Sequence, residues 1–245
     1  MKKIPAALQL WSIRDDVARD FAGTVSAVAR FGYQGVELAG YGNTDAKGAK
    51  AALDQAGLQV AGQHIGYQVL AGNLNQVVSD ALLLGNRHII VPWWNPAQFV
   101  SAAACEQIGA SLDALGAQLR AFGLQLHYHN HAAELQVIEG RTVFEWILGA
   151  AQPRNLGAEV DLYWVHFGGI NPAHFLRQLG NRARLLHLKD GKELGHGPVA
   201  YPEVLAAADA IGVVEWQIVE QEAFNHAPLE SVRLNFGQLR AWGRA

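Results

Sequence analysis

Residues 126–134 read LHYHNHAAE, and three of the chain's ten histidines, His127, His129 and His131, alternate within it. A period of two is that of a strand, so the three imidazoles are expected on one side. Other ionisable residues stand at the ends of other short apolar runs. His64 closes QVAGQH (59–64), and Glu159 and Asp161 close LGAEVD (156–161). His187, Lys189 and Asp190 close RLLHLKD (184–190), and Glu220 stands next to last in WQIVEQ (216–221) with Glu222 just beyond. Burying such groups unpaired is costly, and a divalent cation offsets the cost by binding carboxylates and imidazoles together. One residue from each of four runs gives a candidate ligand set of His129, Asp161, His187 and Glu220. Mixed nitrogen and oxygen ligation suits Mn²⁺ or Zn²⁺, with Mg²⁺, Co²⁺ and Fe²⁺ as alternatives, better than Ca²⁺. Taken singly, each residue has a plainer reading, as a hydrogen-bonded structural histidine or a helix N-cap. Their coincidence at four strand ends favours the metal.

The elements that must position these groups are eight short apolar runs. They are ALQLW (7–11), GVELA (35–39), QVAGQH (59–64), RHIIVPW (87–93), LQLHYHN (124–130), LGAEVD (156–161), RLLHLKD (184–190) and WQIVEQ (216–221). Helical spacing fills the gaps, as in Phe21, Val25 and Val28, and in Ile108, Leu112, Leu115 and Leu119. Gly32, Gly57, Gly123 and Gly212 follow helical runs and precede strands, as C-terminal caps do. No GxGxxG or GxxxxGK[ST] phosphate loop supports an open doubly wound sheet. Eight strand–helix units in 245 residues predict an α/β fold, a closed (β/α)8 TIM barrel forming a single domain over residues 1–245. Active sites of such barrels lie at the C-terminal ends of the strands. That is the end at which these runs turn from apolar to charged.

Hydrophobic residues make up 50% and charged residues 17%, which supports a packed core and argues against disorder. A net charge of −3 gives no basic face for nucleic acid. The single cysteine, Cys105, cannot form an internal disulfide and fits a reducing, cytoplasmic setting. The opening MKKIPAALQLW is too short in apolar residues for a signal segment, and no window has the length to span a bilayer. No membrane or nucleic-acid partner is expected, and a homo-oligomer is left open.

The pieces LQLWSIRD (8–15), YQGVELAG (33–40), YHNHAAEL (128–135), EVDLYWV (159–165), LLHLKD (185–190) and IVEQE (218–222) span nearly the whole chain in order. They resemble the sugar phosphate isomerase/epimerase superfamily, the xylose isomerase-like TIM barrels, and most of all the branch with inosose dehydratase-like proteins. The resemblance implies a divalent metal held by Glu, Asp, His and Glu from strands five to eight. Asp161, His187 and Glu220 match the last three. Relatives often read LENH at the end of strand five, whereas this chain reads YHNH and puts His129 where the glutamate would stand. Either His129 ligates or Glu134 reaches back from the loop, and the strand position favours His129.

In the family's epimerases two glutamates flank the substrate and pass a proton from face to face beside a carbonyl, with the metal stabilising the enediolate. With His129 replacing one of them, Glu220 remains as a base, and Glu134, His64 or Lys189 supplies the second proton-transfer group. An asymmetric pair also suits β-elimination of water from a keto-sugar or keto-inositol. Trp11, Trp93 and Tyr163 are candidate stacking walls for a sugar. Gln9, Glu37, His64, His131 and Lys189 are candidate partners for its hydroxyls.

The expected function is that of a divalent-metal-dependent isomerase or epimerase acting on a small sugar or cyclitol beside its carbonyl. A keto-sugar or inosose dehydratase is the alternative. An abasic-site endonuclease-like enzyme, needing several zinc ions and a DNA-binding face, and a non-catalytic sugar-binding barrel stand further off. Asp161→Ala and His187→Ala should each lose bound metal and activity while keeping the fold, as read by elemental analysis and circular dichroism. Full metal occupancy in both variants would overturn the four-ligand set.

Overall fold

Apolar residues on both faces of short runs make strands that are buried on both sides, as parallel barrels require. Eight such strands form: β1 (Ala6–Gln9), β2 (Gly35–Leu38), β3 (Gln59–His64), β4 (His88–Val91), β5 (Gln125–His129), β6 (Leu156–Asp161), β7 (Ala183–Leu188) and β8 (Trp216–Val219). In the computed structural model, which describes residues 3–245, each pairs in parallel with its sequence neighbours and β8 pairs with β1, closing the barrel. Met1 and Lys2 of the N-terminal stretch lie outside the described residues. A two-stranded antiparallel hairpin, Val137–Ile138 with Arg141–Thr142, stands apart on the connection between β5 and β6. No helix among the described residues is long and apolar enough to cross a membrane.

Strands β3 and β6 have the bounds read from sequence, and the others are shorter for local reasons. After β1 the Gln9 side chain accepts a hydrogen bond from the Trp11 backbone N–H (3.0 Å) and turns the chain into a short 3₁₀ helix, Leu10–Ile13. Strand β4 stops before Pro92, which has no N–H to give a ladder. Gly32, Gly57 and Gly212 cap their helices at positive φ, as expected. Gly123 (φ +78°) lies two residues beyond the cap Ala121 of the helix Ala102–Arg120.

Two apolar regions divide the molecule. The larger lies between barrel and helices and takes the outward residues of the strands, among them Leu8, Val36, Leu126, Tyr128, Val160 and Leu186. The helix Ala102–Arg120 turns Ile108, Leu112, Leu115 and Leu119 into it. The smaller fills the barrel's interior with Ala7, Ala61, Ile90, Leu185, Trp216 and Ile218. His127 shares that interior, and Gly157 on the adjacent strand leaves it room: a Cβ there would lie 2.5 Å from His127 Nδ1. The polar residues of the strand ends sit above the plug, at the C-terminal face.

The loops after β7 and β8 are tied together under the rim by Glu193. Its carboxylate accepts from Ser231 Oγ (2.6 Å) and from the Asn225 backbone and side-chain N–H groups (2.9 and 2.6 Å). Burial opposes the charge, but these donors outweigh it and hold the Glu193 carboxyl at about 2. A lowered folded-state pKa means that the stabilisation is present above the ordinary 4.5 and is lost as pH falls toward about 2. Glu193→Gln should therefore cost about 2 kcal/mol at pH 7 in urea unfolding, with the deficit shrinking below pH 4.5.

Candidate metal centre

Strand register sets the site. His129 lies beside Glu159 across β5 and β6, Asp161 beside His187 across β6 and β7, and Gln9 beside Glu37 across β1 and β2. Each pair points inward at the upper rim. His129, Asp161, His187 and Glu220 are all buried and offer ligand atoms within 4.8 Å of one another. A second grouping of the same kind, His64, His129, Glu159 and His187, shares two of these imidazoles.

Hydrogen bonds separate the two groupings. Glu159 Oε2 lies 2.8 Å from His64 Nε2, 2.9 Å from His129 Nδ1 and 3.3 Å from His187 Nε2. Glu37 Oε2 accepts from Gln9 Nε2 (2.5 Å) and lies 2.7 Å from His187 Nε2 and 3.0 Å from His64 Nε2. Each imidazole of the first grouping thus has one nitrogen on a buried carboxylate. His187 turns its other nitrogen, Nδ1, toward Glu220 Oε2 (3.3 Å). An imidazole with one nitrogen on a carboxylate presents the other as a ligand, the arrangement found around bound metals.

Asp161 caps the helix Leu162–Phe167 through Oδ1, which accepts from the Trp164 N–H (2.8 Å). Its Oδ2 is buried without a hydrogen-bond partner among the described residues. The nearest cation is Lys189 Nζ at 3.9 Å, itself held by Glu220 Oε2 (3.1 Å) and by Glu222. Burial pushes the Asp161 carboxyl up to about 7 even with Lys189 nearby. An unpaired buried carboxylate oxygen beside two imidazoles and a second carboxylate fits a divalent cation, and His129, Asp161, His187 and Glu220 could hold it.

The remaining charges are arranged by the same contacts. Burial disfavours a charged His64, but Glu37 and Glu159 outweigh it and hold that imidazole up at about 10. His187 is held well above its ordinary value in the same way, by Glu159 and Glu37. Burial pulls His129 down to about 3 despite Glu159, so it is neutral. Glu220 is held well below the usual carboxylate range against burial, by His187 and Lys189.

A cavity of about 410 Å³ opens above this centre, and its lining includes Trp11, His64, Trp93, His129, His131 and Glu220. Trp11 and Trp93 are 44% and 55% exposed at its mouth. Other residues expected to touch substrate are placed differently. Gln9 and Glu37 are fully buried beneath the rim and hydrogen-bonded to each other, outside the cavity lining, and Glu37 meets the imidazoles of His64 and His187 instead. Tyr163 packs on Trp164 and Phe167, outside the cavity lining. Lys189 is buried among carboxylates with its ammonium over the Trp164 ring.

Glu134 departs most from expectation. It is buried, with Oε1 accepting from the Tyr128 hydroxyl (2.8 Å) and Oε2 from the His131 N–H (2.8 Å). Tyr128 faces the outer core, so the loop carboxylate is drawn outward and does not reach back to complete a ligand set or supply a proton to the cavity. Glu159 joins this centre although the sequence pattern assigns it no part in it. Its spacing of two from Asp161 in LGAEVD places both on the inner face, and that was the available signal.

With the site described, similarity to known proteins has a meaning. Residues 25–242 match the family described as Xylose isomerase-like TIM barrel, and the chain belongs to that family. No curated protein matches it. Among solved structures it is similar to a sugar phosphate isomerase/epimerase from Parabacteroides distasonis, with 21% identity, a TM-score of 0.87 and 98% of this chain and 95% of that one covered. It is also similar to 3-keto-D-glucoside 4-epimerase from E. coli, with 16% identity, a TM-score of 0.74 and 98% and 100% covered. A third is the probable 3-DHS dehydratase from Bacillus anthracis, with 14% identity, a TM-score of 0.76 and 97% and 99% covered. At these identities the likeness is one of fold.

The Glu134 contacts make a prediction. Glu134→Ala should lower stability by about 2–3 kcal/mol, because it strips a buried tyrosine hydroxyl and a backbone N–H of their acceptor. It should leave metal stoichiometry unchanged. Thermal unfolding and elemental analysis read the two effects separately, and loss of metal would put Glu134 in the ligand shell.

Proposed function

We propose that the chain is a divalent-metal-dependent isomerase or epimerase that takes a proton from the carbon beside the carbonyl of a small polyhydroxylated substrate. The observation that carries this reading is the meeting of four ligand-type side chains, one from each of strands β5 to β8 or their ends, two of which, His129 and Glu220, line a cavity with tryptophans at its mouth. A cation held by His129, Asp161, His187 and Glu220 would supply Lewis-acid polarisation of a substrate oxygen.

The chain's own groups divide the rest of the work. Glu220 is ionised and lines the cavity, which suits a proton acceptor. His64 also lines the cavity and keeps its proton through Glu37 and Glu159, which suits a donor. Lys189 holds Glu220 in place from the side. His131 lines the cavity and can meet a substrate hydroxyl. Trp11 and Trp93 offer flat faces to the C–H side of a sugar ring and exclude water from it. The fold's similarity to sugar epimerases supports the same class.

The inequality of the two proton-transfer groups supports a second reading, dehydration of a keto-sugar or keto-cyclitol. A charged imidazole is a better donor to a departing hydroxide than a second carboxylate would be. One experiment separates the two. Protein loaded in turn with Zn²⁺, Co²⁺ and Mn²⁺ is incubated in D₂O with ketohexoses, 3-keto-glucosides and keto-inositols and followed by proton NMR and ultraviolet absorbance. Isomerisation or epimerisation gives deuterium at one carbon beside the carbonyl and a rearranged sugar. Dehydration gives a conjugated enone absorbance. Glu220→Gln should slow either about 10³-fold. No exchange with any of these compounds by metal-loaded protein would overturn the reading.

A further inference from the structure

Glu159 helps His64 keep its proton, and it is also fully buried beside the candidate ligands. Its Oε2 already meets three imidazole nitrogens at 2.8, 2.9 and 3.3 Å, and its Oε1 is buried without a partner among the described residues. An oxygen so crowded with N–H donors is an acceptor for ligands rather than a ligand. The consequence falls on His129. A ligating imidazole carries one proton, and the carboxylate 2.9 Å from Nδ1 fixes it there. Nε2 is then left as a free lone pair on a residue that lines the cavity. Glu37 treats His187 alike from the other side, at Nε2.

We propose that Glu159 is a positioning residue: by accepting a hydrogen bond from Nδ1 it makes His129 a metal ligand through Nε2, and it biases the centre toward imidazole-seeking metals, Zn²⁺ and Co²⁺, over Mn²⁺ and Mg²⁺. This rests on the metal-centre reading of the site and deepens it. Two imidazole nitrogens and two carboxylate oxygens form a mixed donor set, and its preference for zinc and cobalt depends on how well the nitrogens donate. A buried carboxylate on the far nitrogen raises that donor strength and holds the ring in place, and losing such a partner typically lowers metal affinity 10–100-fold.

The test uses metal binding, not turnover. Affinities for Zn²⁺, Co²⁺ and Mn²⁺ are measured by competition with a chromophoric chelator for wild type and Glu159→Gln, and Co²⁺ absorption spectra are recorded at saturation. The expected result is a 10–100-fold loss for Zn²⁺ and Co²⁺, a smaller loss for Mn²⁺, and Co²⁺ bands at unchanged positions. Equal losses for all three metals, no loss, or Co²⁺ bands that shift as they do when a ligand is removed would each overturn the proposal. Should Glu159→Gln fail to fold, His129→Glu with Glu159→Gln removes the imidazole together with its need for an acceptor. That double variant should move the preference toward Mn²⁺, and a Zn²⁺-to-Mn²⁺ ratio equal to wild type would overturn the proposal. If wild type binds these metals as expected and yet gives no deuterium exchange, the proposed reaction fails while the role of Glu159 stands.

Discussion

Two buried carboxylates, Glu37 and Glu159, each draw several imidazole nitrogens onto a single oxygen, and the upper half of the barrel is organised by that convergence. Glu37 on β2 reaches residues of β1, β3 and β7, and Glu159 on β6 reaches residues of β3, β5 and β7. The two acceptors therefore tie together strands that share no backbone ladder. They also decide which nitrogen of each histidine is free, which is a choice that backbone geometry alone does not make. Removing either would leave buried imidazoles competing for the remaining acceptor.

Such a polar layer is tolerated because most of the interior below it is apolar. Ala7, Ala61, Ile90, Leu185, Trp216 and Ile218 close the barrel below it, and the helices seal the outer face of every strand. In this setting charges act on one another at low dielectric, so the same carboxylates that would be costly alone hold the His64 imidazole charged.

The eight strands were legible because two-sided burial writes itself as short apolar runs and the polar ends all fall on one side. The four candidate ligands were legible because inward positions repeat every two residues. What did not show was the direction of individual side chains once the strands ended. Glu134 lies five residues past His129 in a loop, where periodicity says nothing, and it is the outward Tyr128 that captures it. Gln9 and Glu37 have the chemistry of sugar-binding groups, and only their complete burial and mutual hydrogen bond remove them from the cavity wall. The length of β1 depended on a side chain, Gln9, bonding to a backbone N–H two residues on, a local competition that hydrophobic pattern does not record.

Asn130 carries a last consequence. Its carboxamide accepts from the Asp161 N–H (3.0 Å) and donates to the Asp161 carbonyl (3.3 Å), just where β5 and β6 stop pairing. A side chain thus adds one rung to a ladder whose uprights are parting. The barrel mouth has one lip that is pinned, bearing His129 and Asp161, and across from it Trp11 stands half in solvent on a short 3₁₀ turn. Any molecule entering the cavity would pass between a lip stitched by amide hydrogen bonds and one faced with an indole.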